Sequence, residues 1–188
     1  MTLLIGGLLL FTVAHLFPAA VPGPRKQLVD KLGSNPYRGL FTVVIVASLA
    51  IIVFGWKAAP PTGFYAAPLH GSPIVSALVF VAFVMFVASQ SKSNIRRFVR
   101  HPQMTAVLFW SAAHLLANGE TRSVILFGGL GIWAIVEILL CNRRDGAWEK
   151  PASTGSSTDA VTVAIAAVAF ALILYFHPVL FGVPAWTR

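Results

Sequence analysis

Six runs of apolar residues follow one another along the chain, separated by polar or Pro/Gly-rich connections, and charged side chains are rare within the runs. A helix that crosses a bilayer needs ~17–25 such residues. The runs cover about 2–20, 39–56, 73–90, 102–118, 123–141 and 160–177. This pattern predicts an all-α protein in which one domain, residues 1–188, forms a bundle of six transmembrane helices.

Composition supports a polytopic integral membrane protein. Of the 188 residues, 57% are hydrophobic and 11% are charged, and the mean hydropathy is +0.79, which exceeds what a soluble domain of this length can bury. The net charge of +8 arises from 14 Lys and Arg against 6 Asp and Glu. Because the basic residues lie in the connections, we interpret them as determinants of topology and lipid contact, with no role in binding nucleic acid.

The basic residues are divided unevenly between the connections. Eleven of the fourteen fall in three alternate connections, at 22–38, 91–101 and 142–159. The other three are Lys57, Arg122 and Arg188. Since Lys and Arg concentrate on the cytoplasmic side of membrane proteins, this distribution predicts cytoplasmic basic connections and N- and C-termini on the outer side.

Two histidines lie deep within the predicted spans. His15 is ~20 Å from the start of the first run, and His114 is ~18 Å from Pro102. Imidazole is costly to desolvate, so each ring needs a partner, a proton path or a metal. A hydrogen bond to the backbone or to a hydroxyl such as Ser111 is one explanation, and a cofactor site is the other. Trp110 shares a helix face with His114 and could pack on a porphyrin.

The other three histidines lie near the ends of predicted spans. His70 and His177 are predicted at the outer side, where they are interfacial polar residues or an alternative ligand pair. His101 follows Arg100 and precedes Pro102, which suits the first turn of a helix. Here His101 either contacts headgroups or contributes to a site.

Helical geometry limits which histidines can bind the same iron. His101 and His114 are ~140° apart around the helix axis and ~20 Å apart along it, so they cannot ligate one iron from opposite faces. A bis-histidine haem therefore needs one ligand from the fourth span and one from another helix. On depth alone, His15 could pair with His114 or with His101.

A family resemblance is specific over about residues 96–144 and is carried by motifs between Arg100 and Gly128. The sequence there runs Arg100-His-Pro-Gln-Met104, Phe109-Trp-Ser-Ala-Ala-His114-Leu-Leu-Ala-Asn-Gly-Glu120, Arg122-Ser123 and Leu126-Phe127-Gly128. It resembles the NnrU family, bacterial membrane proteins associated with denitrification and similar to the plant and cyanobacterial 15-cis-zeta-carotene isomerase. Ala14-His15-Leu16 extends the resemblance more loosely, and the sixth span contributes only length and hydrophobicity.

The resemblance implies a six-helix protein of the bacterial inner membrane that binds haem b. In the isomerase branch the histidine matching His114 is an axial ligand, and a first-helix histidine, best matched by His15, is the other. The resemblance thus favours His15 and His114 as metal ligands over the pairing with His101. Ser111 stands where the isomerase has a cysteine. The residues expected to contact the cofactor are His15, His114, Trp110, Ser111, His101 and Arg100.

A haem in this position is expected to transfer electrons, to sense or react with nitric oxide, or to act on a lipophilic polyene. The implied partners are the lipid bilayer, nitric oxide or a lipophilic small molecule, and a redox protein. If the protein is an enzyme, the resemblance implies a haem-dependent isomerase or redox protein.

Two alternative functions belong to other classes. Arg100-His101-Pro102, with Glu137 on the next span, also resembles the isoprenylcysteine and phospholipid methyltransferases, in which similar residues contact S-adenosylmethionine. A non-enzymatic assembly or transport partner of nitric oxide reductase is the other alternative.

The connection between the fourth and fifth spans contains further polar residues of the family-like run. Glu120 and Arg122 are expected to form a solvated surface ion pair, or to shape the outer mouth of a pocket. Asn118 and Gly119 are predicted to cap the end of the fourth helix.

Overall fold

Seven α-helices make up most of residues 1–185, the part of the chain that the computed structural model describes. A short 3-10 helix, Asn94–Arg97, precedes the α-helix that begins at Pro102, and a π-helical turn at Val124–Gly128 lies within the helix that begins at Thr121. Within residues 1–185 the only β-pairing is an isolated bridge between Gly63 and Glu120. The all-α prediction is confirmed. The helices are α1 Thr2–Ala20, α2 Pro22–Leu32, α3 Ser34–Ala58, α4 Pro73–Gln90, α5 Pro102–Ala117, α6 Thr121–Asp145 and α7 Ser156–Phe181.

Five of the helices found in residues 1–185 are long and apolar enough to cross a membrane, namely α1, α3, α4, α6 and α7. Many of their large apolar side chains face away from the rest of the protein. Val43 and Phe54 are each 65% exposed, and Val168 is 62% exposed. Such surfaces suit lipid rather than water. The chain is therefore a multi-pass membrane protein.

The helix count and the span count both differ from the prediction. The predicted fourth span is α5, whose 16 residues cover ~24 Å against a ~30 Å hydrocarbon core. The additional helix is α2, which lies in the predicted connection 22–38. Pro22 suits its first position, and an i,i+4 ion pair joins Lys26 to Asp30 at 3.2 Å. Because α2 is short and polar, a pattern of apolar runs does not reveal it.

The chain forms two compact units, and the first holds α1, α2, α3 and α6. Unit 1 consists of Met1–Phe64 and Glu120–Ala147. Gly55 lets α1 and α3 pack closely, because a Cβ at this position would overlap the backbone of Leu4. Gly7 similarly faces Ile52, which makes α1 and α3 antiparallel.

Helix α6 lies on another side of α1 and runs parallel to it. Leu8 contacts Gly129, and one turn further along both helices the Phe11 ring stands 5.1 Å from that of Trp133. Unit 1 is therefore organised around α1, the helix that carries His15.

Unit 2 holds α4, the 3-10 helix, α5 and α7. It consists of Tyr65–Gly119 and Trp148–Arg188, described to residue 185. The rings of Phe80 and Phe170 lie 5.6 Å apart, and the hydroxyls of Ser91 and Thr162 lie 3.0 Å apart, so α4 and α7 are antiparallel.

Asp159, in the first turn of α7, holds the connection before α5. Its carboxylate accepts hydrogen bonds from Ser93 Oγ at 2.7 Å and from the backbone N–H of Asn94 at 2.8 Å. Backbone N–H groups at the start of a helical turn have no partner within the turn. The carboxylate therefore caps the 3-10 helix that leads to Arg100 and His101.

Candidate cofactor site

His15 lies in α1 among aromatic rings from three helices of unit 1. The centroid of its ring is 4.1 Å from that of Phe11, 5.2 Å from that of Trp133 on α6, and 5.7 Å from that of Phe41 on α3. Trp133 and Phe41 meet the imidazole edge to face, the arrangement that aromatic pairs prefer. We call Phe11, Phe41 and Trp133 the aromatic box. It packs apolar surface against the His15 ring, which is partly buried.

His114 lies on α5 in unit 2, beside Trp110 of the same helix. The two ring centroids are 4.9 Å apart. The shared helix face that the sequence predicts for these residues is confirmed. Ser111 lies one turn before His114 and is 2% exposed.

His15 and His114 have the same kind of hydrogen bond at Nδ1. His15 Nδ1 lies 3.1 Å from the Phe11 carbonyl oxygen, and His114 Nδ1 lies 2.8 Å from the Trp110 carbonyl oxygen. A carbonyl oxygen only accepts, so in each ring Nδ1 carries the proton and Nε2 carries the lone pair. The bond also fixes the ring orientation, as in histidines that bind metals. Of the two partners considered from the sequence, the His114 ring is hydrogen-bonded to the backbone and not to the Ser111 hydroxyl.

Two polar atoms close to these histidines have no hydrogen-bond partner within residues 1–185. They are Trp133 Nε1 and Ser111 Oγ. Trp133 is 5% exposed, so neither group is open to solvent. Leaving a buried donor or acceptor unpaired costs ~1–3 kcal/mol. Such groups are suited to contact a ligand, and Trp133 carried no distinguishing signal in the sequence.

The donor set fits a haem better than a bare metal ion. Within residues 1–185 no three His, Cys, Asp or Glu side chains cluster closely enough to hold a metal ion. A haem iron requires only axial ligands from the protein. A histidine with a protonated Nδ1 supplies one through Nε2, and aromatic rings provide flat apolar surface for a porphyrin. His15 and His114 each meet these requirements within their own unit.

The predicted helix start at Arg100-His101-Pro102 is present. His101 is the N-cap residue of α5, and its carbonyl accepts from both the backbone N–H and the hydroxyl of Thr105, each at 3.0 Å. Pro102 occupies the first helical position, where its missing N–H carries no cost. His101 therefore lies at the start of α5 and His114 in its last turn, the separation that helical geometry predicts.

A strap formed by residues 65–70 covers the end of α5 that follows His114. The backbone N–H of Tyr65 donates to the Gly119 carbonyl at 3.1 Å, and that of Leu69 donates to the Leu116 carbonyl at 3.0 Å. The last carbonyls of a helix have no partners within the helix. The strap supplies these partners from a segment about 50 residues away in sequence.

Side chains of the strap also donate hydrogen bonds to carbonyls at the end of α5. His70 Nδ1 donates to the Ala117 carbonyl at 2.9 Å. The Tyr65 hydroxyl donates to the carbonyl of Leu115 and lies 3.1 Å from that of Asn118. His70, expected as an interfacial polar residue, thus has a defined partner at the end of α5.

The predicted helix cap is correct for Asn118, whereas Gly119 has a different role. Asn118 is the C-cap residue, and its side-chain amide donates to the His114 carbonyl at 3.0 Å. A Cβ at Gly119 would overlap the Tyr65 carbonyl. Glycine is required here because the strap approaches closely.

Glu120 and Arg122 form the predicted ion pair, but Arg122 is largely covered. Their side chains meet at 2.7 Å, and the Arg122 side chain is 19% exposed. Its guanidinium stands 4.7 Å from the centroid of the Trp56 ring and donates to the Ala59 carbonyl at 3.5 Å. These contacts join the end of α3 to the start of α6.

Glu137 and Arg100, the residues of the methyltransferase resemblance, belong to different units. Glu137 lies one turn beyond Trp133 on α6, where it accepts a hydrogen bond from the Cys141 thiol at 3.5 Å.

The apolar, membrane-spanning helices define the class: a polytopic all-α membrane protein. A family model described as NnrU protein matches residues 3–185, and the chain belongs to this family. The match includes the α7 region, where the sequence alone showed only length and hydrophobicity. No curated protein and no solved structure matches the chain significantly.

Proposed function

We propose that this protein binds haem b in the bacterial inner membrane, with His15 and His114 as the axial ligands of the iron. One observation carries this proposal: in each of the two rings, Nδ1 is hydrogen-bonded to a backbone carbonyl oxygen of the same helix. It leaves Nε2 as the basic nitrogen and holds each imidazole in one orientation. The family adds support, since the resemblance to its isomerase branch implies ligands from the first and fourth spans.

The residues around the histidines suit a redox or ligand-sensing role. Bound haem would supply electron transfer and, once one histidine ligand dissociates, coordination of small ligands such as nitric oxide. The backbone carbonyls of Phe11 and Trp110 orient the imidazoles, and the aromatic box packs apolar surface against His15. An apolar surround of this kind tunes a reduction potential. Ser111, in place of the cysteine of the isomerase, favours a role in nitric oxide metabolism over isomerisation of a polyene.

We also propose that α5 crosses the bilayer as a sixth span and that both termini lie on the periplasmic side. If α5 did not cross, the basic connections 91–101 and 142–159 would lie on opposite sides of the membrane, against the preference of Lys and Arg for the cytoplasm. Alkaline phosphatase fused after Gly119 should be active, because this position is expected in the periplasm. A fluorescent protein fused after Gly146 should fluoresce, because this position is expected in the cytoplasm. The opposite pattern would contradict this topology.

The haem proposal is tested by adding haemin to the purified full-length protein. We expect a saturable Soret band with one haem per chain, and loss of most binding in His15→Ala and in His114→Ala. His101→Ala is the comparison variant, because His101 is the alternative partner of His15, and we expect it to weaken haem binding less than His114→Ala does. Absence of a Soret band, or loss of binding in His101→Ala rather than His114→Ala, would contradict the proposed ligands.

The same preparation separates the alternative functions. Binding of S-adenosylmethionine without any haem band would favour the methyltransferase class. Binding of neither molecule would favour a non-enzymatic partner of nitric oxide reductase.

A further inference from the structure

Trp133 has a buried N–H that the ligand role of His15 does not explain. The residue is 5% exposed, and its Nε1 has no hydrogen-bond partner within residues 1–185. A buried tryptophan usually finds an acceptor for this group, because an unpaired donor in an apolar site is costly. An acceptor is therefore missing beside the indole.

The unpaired N–H belongs to a ring that touches the proposed ligand. Trp133 stands edge to face against both His15 and Phe11, with centroids 5.2 and 5.1 Å away. His15 uses Nδ1 to bind the Phe11 carbonyl. Two nitrogen atoms of this ring pair remain. His15 Nε2 carries a lone pair, and Trp133 Nε1 carries a hydrogen that it can donate. A molecule bound through the lone pair would therefore lie beside a ring that carries an unpaired donor.

The nearest carboxylate along α6 does not serve the indole N–H, since Trp133 Nε1 has no hydrogen-bond partner within residues 1–185. This carboxylate is Glu137, one turn beyond Trp133, whose Oε1 accepts from Cys141 Sγ at 3.5 Å. Phe11 and Phe41, the other two members of the aromatic box, offer only ring carbons. The chemistry of the site therefore calls for an acceptor oxygen from a bound molecule.

We infer that Trp133 donates its Nε1–H to a carboxylate oxygen of the haem held by His15, and so acts as a positioning residue for the porphyrin. This inference rests on the proposed function. The carboxylates are the charged acceptors of haem b, and a hydrogen bond to a charged acceptor is stronger than one to a neutral acceptor. In an apolar surround such a donor also offsets part of the cost of desolvating the carboxylate.

The sharpest variant replaces Trp133 by 3-benzothienylalanine, which keeps the bicyclic ring and puts sulfur in place of N–H. We expect the haem dissociation rate, measured by transfer to apomyoglobin, to rise about tenfold. Trp133→Phe is the genetically simpler second variant. Trp56→Phe is the control, because Trp56 belongs to the same unit but stacks against Arg122, and it should leave the rate unchanged.

A second measurement follows the N–H in the unsubstituted indole. One ultraviolet resonance Raman band of indole reports hydrogen bonding of its N–H. Subtracting the spectrum of Trp133→Phe from that of the wild type isolates the band of Trp133. We expect it to shift towards the bonded form when haemin is added. With haem dimethyl ester, in which both carboxylates are esterified, the shift and the effect of the benzothienyl substitution should both be smaller.

The outcomes separate this inference from the haem proposal. If haem binds in a His15-dependent manner but neither the dissociation rate nor the indole band responds, Trp133 has no such role while the haem proposal stands. Equal responses to haem and to its dimethyl ester would overturn the carboxylate as the acceptor. If no haem binds, both proposals fail.

Discussion

His15 and His114 have the same tautomer, yet different interactions hold their surroundings. In unit 1, His15 lies among rings contributed by α1, α3 and α6. In unit 2, His114 lies in the last turn of α5, and the strap at residues 65–70 donates hydrogen bonds to the carbonyls at this end of the helix. Ring packing is weakly directional and can readjust, whereas hydrogen bonds require defined distances and angles. We therefore expect the end of α5 to tolerate change less well than the aromatic box.

The largest expected effect is that of Gly119→Ala. Its Cβ would overlap the Tyr65 carbonyl, so the strap must shift, at a cost of ~1–3 kcal/mol in the free energy of unfolding. Titration with a denaturing detergent in mixed micelles measures this change. Gly39→Ala is the control, because a Cβ there meets nothing within 4 Å. If both variants had the same stability, close approach of the strap would not be what requires glycine.

The next effect is that of Tyr65→Phe, which removes the phenol donor from the end of α5. We expect a loss of ~0.5–1.5 kcal/mol, the usual net contribution of a hydrogen bond. Hydrogen exchange at the backbone amides of 115–119 should accelerate. Tyr175→Phe is the matched control in the same unit, since Tyr175 is 78% exposed. Unchanged exchange in Tyr65→Phe would mean that the hydroxyl does not stabilise the cap.

The smallest effect is expected for Phe41→Leu in the aromatic box. The remaining rings can repack, so we expect a loss of less than about 1 kcal/mol. The nitrogen NMR shifts of His15 should still indicate a protonated Nδ1. Phe54→Leu is the control on the same helix, because Phe54 is 65% exposed. If Phe41→Leu lowered the free energy of unfolding as much as Gly119→Ala does, the aromatic box would not be the more tolerant of the two regions.

The sequence predicts features that depend on neighbours along one helix. The bounds of α1 and α4 agree with the predicted runs at 2–20 and 73–90, and α4 begins at Pro73 after a Ser72 cap. The separation of His101 from His114 follows from helical geometry alone. These features need no information about packing.

Features that depend on contacts between distant segments could not be predicted. The strap joins residues about 50 positions apart in sequence, and no local pattern encodes that pairing. Trp133 looks like any tryptophan in an apolar run until its ring meets His15. Helix α2 was missed for another reason, since its polar sequence resembles that of a connection.

The most direct test of the proposed ligands is to identify the axial ligands of the ferric haem-loaded protein by electron paramagnetic resonance with near-infrared magnetic circular dichroism. We expect the low-spin signature of two imidazole ligands. His15→Ala and His114→Ala should each convert residual bound haem to a high-spin form, and added imidazole should restore the low-spin spectrum. A bis-imidazole spectrum that persists in either variant, or a wild-type protein without haem, would contradict the central claim.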